Sequence, residues 1–231
     1  MMVAAGARAK GPLLAPCDPA GEGSWTGSSL PSDHYWWSGV GMTEPHQRCV
    51  LLRHGETAWS RTRRHTGRTD VPLTDAGRRQ ALALVGRVEL SSATTVLTSP
   101  LVRARATAEL AGLGAAAVDP DLAEWDYGAY EGRTTEEIRV ERPGWEIFVD
   151  GVPGGESIEQ VAERADRVIA RVRQSDGDVV CVGHAHLFRV LAARWVGLDP
   201  VWGKALTLEP ASLSTLGWER EHPVVEVWNL T

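Results

Sequence analysis

The stretch Cys49-Val50-Leu51-Leu52-Arg53-His54-Gly55-Glu56-Thr57 opens the part of this chain that is patterned to fold. Its leading residues form a short apolar run, which is typical of a buried β-strand, and the polar residues after it predict a turn. Two later runs, Thr95-Val96-Leu97 and Asp178-Val179-Val180-Cys181-Val182, repeat this pattern. Strands that are apolar on both faces occur in sheets that helices cover on each side. We therefore predict a mostly parallel sheet built from these strands.

Helical patterns separate the predicted strands. Thr74 is placed to act as the N-cap of a helix. The apolar residues of this helix are expected on one face: Ala81, Leu82 and Val85. Ser99 and Pro100 predict the start of another helix, with Ser99 as its cap and Pro100 at its first position. This alternation of strands and helices is typical of an α/β fold.

The second half of the chain continues the alternation. Ser157 and Gln160 form a predicted capping box at the start of a long amphipathic helix. An apolar helix is predicted around residues 187–195, and the alternating runs 212–218 and 224–228 predict a hairpin. The predicted fold is a three-layer α/β sandwich with a mostly parallel central sheet, helices on both faces and a C-terminal antiparallel hairpin.

The composition excludes several classes of protein. Hydrophobic residues make up 43% of the 231 residues and charged residues 23%, as in globular domains with an apolar core. The formal net charge is −6, which argues against a protein that binds nucleic acid by neutralising many phosphates. The sequence contains no apolar run long enough to span a membrane. An anionic substrate would therefore require a locally basic pocket.

Residues 1–46 differ in composition from the rest of the chain. They are rich in Gly, Ala, Pro and Ser without sustained periodicity, so we predict a disordered N-terminal extension before a folded domain over residues 47–231. Met42, shortly before the first strand, is a credible natural start. Three aromatic residues leave open the alternative that this segment docks on the domain: Trp25, Trp36 and Trp37.

The three cysteines, Cys17, Cys49 and Cys181, are an odd number without the spacing of metal ligands. Cys49 and Cys181 lie in predicted strands, where a buried free thiol is expected. Free thiols favour a reducing compartment, so a cytoplasmic location is expected.

Unusual polar side chains follow each predicted strand. Arg53 and His54 follow the first strand, Ser99 and Arg103 the second, and His184 the third. The carboxyl ends of parallel strands meet at one edge of a sheet, so these side chains are expected to lie close together. Arginine binds phosphate oxygens with its planar fork, and a neutral imidazole can attack phosphorus. This cluster predicts phosphoryl transfer without a metal.

Five blocks of sequence carry a family resemblance. They are Leu52-Arg53-His54-Gly55-Glu56-Thr57, Ser99-Pro100-Leu101-Val102-Arg103-Ala104, Leu122-Ala123-Glu124-Trp125-Asp126-Tyr127-Gly128, Gly155-Glu156-Ser157 and Gly183-His184-Ala185. The first block continues at residues 66–74, from Thr66-Gly67 to Thr74. In this order, over roughly residues 48–200, the blocks resemble the histidine phosphatase superfamily, the phosphoglycerate-mutase-like proteins.

The resemblance implies a role for each matched residue. His54 would be the nucleophile that forms a phosphohistidine, and Arg53, Arg103 and His184 would surround the transferred phosphate. Glu124 would donate a proton to the leaving oxygen and then act as the base for the attacking water. No metal or cofactor is implied.

Matched residues are also expected to bind the substrate: Arg53, Ser60, Thr66, Gly67, Arg103, Ala185 and Arg189. Ser60 stands where many family members have Asn. Ala185 stands where one branch of the superfamily, which holds sugar-bisphosphatases and small acid phosphatases, usually has Gly. Its methyl group narrows the space near the phosphate but keeps the backbone amide. Arg189 either reaches a second phosphate or is a charge on a helix surface. His65 is left open between a surface loop residue and a substrate contact.

The resemblance narrows to a branch that holds sugar-bisphosphatases and small acid phosphatases. We expect a phosphatase that hydrolyses phosphate monoesters of small metabolites, including sugar phosphates or bisphosphates. The short segment between Glu124 and Gly155 favours hydrolysis over mutase chemistry. A phosphoglycerate mutase and a non-catalytic phosphate-ester sensor are the alternatives. Neither nucleic acid nor a membrane is expected as a partner, and a homodimer is compatible with the sequence.

Overall fold

A computed structural model describes residues 47–88 and 94–231 of the chain. The predicted disordered extension, residues 1–46, lies outside the described residues, as do its tryptophans and Cys17.

A mixed sheet organises the described part of the chain. It contains six strands in the order β3-β2-β4-β1-β5-β6. Their bounds are Cys49–Arg53 (β1), Thr95–Thr98 (β2), Ala117–Val118 (β3), Val179–Gly183 (β4), Leu213–Glu219 (β5) and His222–Leu230 (β6). Strands β3, β2, β4 and β1 are parallel neighbours, whereas β5 is antiparallel to both β1 and β6. The predicted parallel sheet and C-terminal hairpin are confirmed.

Seven α-helices surround this sheet in the described residues. They are Ala58–Arg61 (α1), Asp75–Leu82 (α2), Val102–Leu110 (α3), Thr135–Glu141 (α4), Ile147–Asp150 (α5), Ile158–Arg173 (α6) and Ala185–Trp195 (α7). Short 3₁₀ helices span Pro120–Leu122, Gly128–Tyr130 and Pro200–Ala205. The side chains of β1 and β4 alternate between two apolar clusters. Helices α6 and α7 contribute to one cluster and α3 to the other, which confirms the three-layer sandwich.

Two predicted helix starts are confirmed at the level of single hydrogen bonds. The hydroxyl of Thr74 accepts from the backbone N–H of Gly77 at 3.0 Å and caps α2. The backbone N–H of Ser157 donates to the side chain of Gln160 at 2.8 Å, and the hydroxyl of Ser157 accepts from the backbone N–H of Gln160 at 3.3 Å. These bonds form the predicted capping box of α6, because they link residues only three positions apart.

The predicted apolar face of α2 is wrong in part. Ala81 is buried, but Leu82 and Val85 are 52% and 59% exposed. The helix ends at Leu82, and the chain then turns, so the helical spacing no longer holds. Leu84 takes the buried position instead and packs in the cluster that contains α3.

The predicted start of α3 is also wrong. The helix begins at Val102, and its N-cap residue Leu101 provides no side-chain hydrogen bond. The carboxylate of Asp70 accepts from the backbone N–H of Val102 at 2.8 Å in place of a local cap. The hydroxyl of Ser99 bonds to His184 at 2.7 Å. A tertiary partner therefore moves the helix start by two residues.

The two cysteines of the sheet are buried free thiols, as predicted. The sulfur atoms of Cys49 and Cys181 are 3.9 Å apart, on the neighbouring strands β1 and β4. In the part of the chain that the structure describes, no helix has the length and apolar character needed to cross a bilayer.

Candidate active site

The parallel pairing of β1 with β4 brings two histidines to one edge of the sheet. Arg53 is opposite Gly183 in the register, so the next residues, His54 and His184, leave their strands side by side. The backbone N–H of His54 donates to the carbonyl of Gly183 at 3.0 Å, and the two imidazole centroids are 5.1 Å apart. The structure thus places both histidines beyond the carboxyl ends of central strands.

His54 is held as a neutral imidazole with a defined tautomer. Its ring is 5% exposed, and its Nδ1 is 2.7 Å from the carbonyl oxygen of Gly55. A carbonyl can only accept, so Nδ1 carries the proton and Nε2 the lone pair. Burial, and then the charges of Arg103 and Arg53, hold the pKa of His54 well below its usual value. The chemistry available at Nε2 is nucleophilic attack.

The loop that carries His54 packs backbone to backbone on the start of α2. A Cβ on Gly55 would lie 2.4 Å from the carbonyl oxygen of Gly77, and a Cβ on Gly77 would lie 2.1 Å from that of Glu56. Only glycine at both positions allows this approach. The close contact keeps His54 at the cavity wall.

Arg103 lies behind His54. Its guanidinium is fully buried and donates to the carbonyl oxygens of Thr66, Gly67 and Thr69 at 2.9, 2.9 and 3.0 Å. Its Nε donates to Nδ1 of His184 at 3.2 Å. Burial lowers the pKa of Arg103, and the charge of Glu124 opposes that shift.

His184 is fully buried next to Arg103. Because its Nδ1 accepts from Arg103, the neutral ring carries its proton on Nε2, which is 2.7 Å from the hydroxyl of Ser99. Burial, and then the charge of Arg103, hold the pKa of His184 well below its usual value. Both nitrogens of His184 are therefore already hydrogen-bonded.

The carboxylate of Glu124 is oriented by backbone donors. One oxygen accepts from the backbone N–H groups of Trp125 and Leu187, each at 2.9 Å, and the other from that of His186 at 3.1 Å. Two of these donors belong to the first turn of α7, where free N–H groups point out of the helix. Glu124 is 5% exposed and still forms part of the cavity wall.

A cavity of about 580 Å³ connects most of the predicted site residues. Its wall includes seven of them: Arg53, His54, Ser60, Thr66, Glu124, Ala185 and Arg189. Three others, Gly67, Arg103 and His184, are not on this wall. The structure therefore brings all ten residues into one region but divides them into a wall and a layer behind it.

Arg53 lines this wall and has one buried donor without a partner among the described residues. Its Nη1 donates to the carbonyl of Leu208, whereas its buried Nε has no hydrogen-bond partner among the described residues. Burial lowers the pKa of Arg53, and the charge of Glu124 opposes that shift. A buried donor without a partner is costly, and an anion bound in the cavity would satisfy it.

Several predicted binding residues already have structural partners. The hydroxyl of Ser60 accepts from the backbone N–H of Thr57 at 2.9 Å, and that of Thr66 donates to the carbonyl of Arg64 at 3.0 Å. Arg189 donates to the carbonyl of Gly203 at 2.9 Å, and its guanidinium lies 4.5 Å from the ring centroid of Phe148. Arg189 is therefore a half-buried part of the cavity wall and not an exposed helix charge.

The structure adds two wall residues to which the sequence assigned no role, Tyr127 and His186, and decides between the alternatives for His65. His65 is buried, which settles that it is not a surface loop residue, and burial lowers its pKa to about 4. The hydroxyl of Tyr127 is 2.6 Å from Nδ1 of His186, and the rings of His65 and His186 are 5.9 Å apart. Both histidines lie beside matched residues, Thr66 and Ala185, and His186 also completes the run His184-Ala185-His186, which resembles the His-Gly-His pattern of the related branch.

The low histidine pKa values lead to an expected pH profile. kcat/KM reports the ionisations of the free enzyme, so a neutral His54 predicts that its acidic limb lies below about pH 6.5, the usual value for histidine. Measuring kcat/KM for p-nitrophenyl phosphate against pH checks this. An acidic limb at or above the usual histidine value would contradict it.

The same shifts predict a loss of stability in acid. The pKa is lowered for four buried or half-buried histidines: His54, His65, His184 and His186. Their unfolded forms take up protons near about pH 6.5 while the folded forms do not, so stability falls as the pH drops below that value. Thermal denaturation from about pH 7 to about pH 5 measures this effect.

Side chains suited to a metal do not cluster in this region. Within residues 47–88 and 94–231, no group of three His, Cys, Asp or Glu residues could hold a metal ion. Positive charge comes from five arginines on the cavity wall: Arg53, Arg61, Arg63, Arg64 and Arg189. An acidic protein needs a locally basic pocket to bind an anionic substrate, and these arginines provide one.

Comparison with known proteins gives consistent similarities. The family model described as histidine phosphatase superfamily (branch 1) matches residues 49–231. An acid phosphatase of Mycobacterium tuberculosis is 46% identical over 191 residues, which cover 80% of this chain and 94% of that protein. Sedoheptulose 1,7-bisphosphatase of Saccharomyces cerevisiae is 37% identical over 196 residues, covering 70% of this chain and 72% of that protein. A solved structure of a Mycobacterium tuberculosis open reading frame has a TM-score of 0.76 at 44% identity, covering 80% and 98% of the two chains.

Proposed function

We propose that this chain, which belongs to branch 1 of the histidine phosphatase superfamily, cleaves phosphate monoesters through a phosphohistidine on His54. The chain is a phosphatase of small metabolites, as its family and its relatives show. The proposal concerns the residues that carry out the reaction. One observation carries it: Nδ1 of His54 lies 2.7 Å from the carbonyl oxygen of Gly55, so the neutral ring keeps its proton there and carries its lone pair on Nε2.

In the first step, the lone pair of His54 Nε2 forms a bond to phosphorus. The bond between phosphorus and the ester oxygen breaks, and Glu124 transfers a proton to that oxygen as it leaves. The uncommitted Nε–H of Arg53 donates to a phosphate oxygen, which would satisfy a buried donor that has no partner among the described residues. The product alcohol then leaves the cavity.

In the second step, water attacks the phosphohistidine. Glu124 accepts a proton from the water, the bond between phosphorus and Nε2 breaks, and inorganic phosphate is released with His54 neutral again. Alternation between acid and base requires a carboxyl group at the cavity wall, and Glu124 meets this requirement by position.

Arg103 and His184 are proposed to act from behind the nucleophile. The buried charge of Arg103 stabilises the equatorial phosphate oxygens. Its bonds to the carbonyls of Thr66 and Gly67 hold in place the segment that carries Thr66 at the cavity wall. His184 orients Arg103 through the bond to its Nε. Gly67 thus contributes through Arg103, while Ser60, Thr66 and Ala185 are proposed to contact the substrate directly.

We propose that the substrates are sugar phosphates. Screening the protein against a panel of small phosphorylated metabolites tests this proposal. The yeast relative's name refers to a sugar bisphosphate. A mutase would give a product that depends on added 2,3-bisphosphoglycerate, and a sensor would bind esters without turnover.

Neither nucleic acid nor a membrane is proposed as a partner. The buried free thiols of Cys49 and Cys181 support the proposed cytoplasmic location, and gel filtration tests the proposed homodimer.

Chelators are expected to leave turnover intact. Arginine charge at the cavity stabilises the phosphate without a divalent ion, so removing metals should change kcat by less than about twofold. The measurement is p-nitrophenyl phosphate hydrolysis with and without EDTA. Activity that is lost in EDTA and restored by one divalent cation would contradict this expectation.

A further inference from the structure

Arg63 occupies a backbone position that normally favours glycine. Its φ is +56°, in the left-handed region. The N–H of Arg63 donates to the carbonyl of Ser60 at 3.1 Å, and the N–H of Arg64 to that of Trp59 at 2.9 Å. These two bonds end α1 in a Schellman motif with Arg63 at the C′ position. A side chain with a Cβ is strained there.

The side chain of Arg63 lines the mouth of the active-site cavity together with Arg61. Both are exposed, and neither forms a salt bridge or a side-chain hydrogen bond within residues 47–88 and 94–231. Arg63 interacts electrostatically with Glu136 but is not paired with it. Arg64, by contrast, forms a salt bridge with Glu137 at 3.1 Å. Two cavity arginines thus keep their charge available.

The cavity has room for more than one anionic group. A lone phosphate occupies only a small part of about 580 Å³, a volume typical of pockets for whole metabolites. Helix α1 rises about 6 Å over its four residues and separates the turn after His54 from the turn that carries Arg63. The positive charge therefore lies in two places, one at the nucleophile and one at the mouth.

We propose that Arg61 and Arg63 bind a second anionic group of the substrate while its phosphate ester lies at His54. The substrate class is then small metabolites with two anionic groups, either bisphosphates or phosphorylated carboxylic acids. This rests on the proposed function of the cavity and adds to it the recognition of the remote end. The left-handed turn at Arg63 places its cation at the cavity.

Matched substrate pairs test this proposal. 3-Phosphoglycerate has a carboxylate where glycerol 3-phosphate has a hydroxymethyl group, and fructose 1,6-bisphosphate has one phosphate more than fructose 6-phosphate. We expect the two-anion member of at least one pair to have the higher kcat/KM, by about tenfold. Arg63→Gly should remove most of this preference while changing kcat/KM for the one-anion members by less than about twofold. Arg61→Gln should act in the same direction.

Arg63→Gly should also stabilise the protein. A loss of substrate preference in this variant then cannot be attributed to damage to the fold. Glycine relieves the left-handed strain, so the Tm of Arg63→Gly is expected to rise by about 2 °C. Arg220→Gly is the matched control: Arg220 also has a φ of +56°, lies in the turn between β5 and β6, and is not part of the cavity wall. It should raise Tm in the same way and leave the substrate preference unchanged.

Two results would overturn the proposal. One is a wild-type protein without preference for either two-anion substrate, and the other is an Arg63→Gly protein that keeps the full preference. Failure of the proposed function is distinguishable, because it appears as no turnover of any of the four esters. In that case, calorimetric titration with 3-phosphoglycerate and glycerol 3-phosphate decides the second-anion site alone.

Discussion

Replacing His54 by alanine is expected to abolish turnover, with a loss of at least about 10⁴-fold in kcat. The neutral Nε2 of His54 is the nucleophile of the proposed mechanism, and the described cavity wall offers no second group with the same tautomer and position. Arg103 and His184 cannot take over the role of His54, because both are hydrogen-bonded behind the wall. The measurement is steady-state hydrolysis of p-nitrophenyl phosphate by both proteins.

Trapping the intermediate strengthens this test. Wild-type protein quenched during turnover of labelled substrate should carry acid-labile phosphate, and the His54→Ala protein should carry none. His222→Ala is a suitable control, since its side chain is 74% exposed and lies in β6, away from the cavity. Near-normal activity of the His54→Ala protein would show that the covalent mechanism is wrong.

Replacing Glu124 by glutamine is expected to separate substrates by their leaving group. Sugar phosphates release a poor alkoxide that needs a proton, so their kcat should fall by about 10²- to 10⁴-fold. p-Nitrophenyl phosphate releases a stable phenolate and should lose far less. The ratio of the two rate losses is the measured quantity.

The hydrogen bonds of Glu124 make a structural control necessary. Its two oxygens accept three backbone N–H groups, and the amide of glutamine would turn one acceptor into a donor. Thermal denaturation shows whether the variant stays folded. An equal loss on both substrates would assign Glu124 a folding or binding role and make Asp126 the next candidate for the acid. Asp126 already pairs with Arg68 at 2.5 Å.

Local pattern in the sequence predicted most of the fold. The apolar runs of β1, β2 and β4 and the capping box of α6 depend on residues a few positions apart, so a short window contains their cause. The strand ends also predicted that Arg53, His54, Arg103 and His184 lie close together, and the family resemblance added Glu124 to them. Strand ends that meet at one sheet edge follow from the parallel topology itself.

The tertiary structure decided which partner each polar group has. Asp70 caps α3 from outside the helix, whereas Ser99, the local candidate, accepts from the N–H of Leu101 at 3.3 Å and bonds to His184 at 2.7 Å. The donors that orient Glu124 come partly from α7, far along the chain.

The same hydrogen bonds decide which site residues line the cavity and which lie behind its wall. Arg103 reaches carbonyls of the segment at Thr66 and so leaves the cavity wall, whereas Arg63 reaches the cavity mouth from a left-handed turn. Residue type and spacing specify which groups can bind phosphate. Hydrogen bonds between segments distant in sequence determine where each group points, because a buried polar atom must find its partner wherever the packed chain places one.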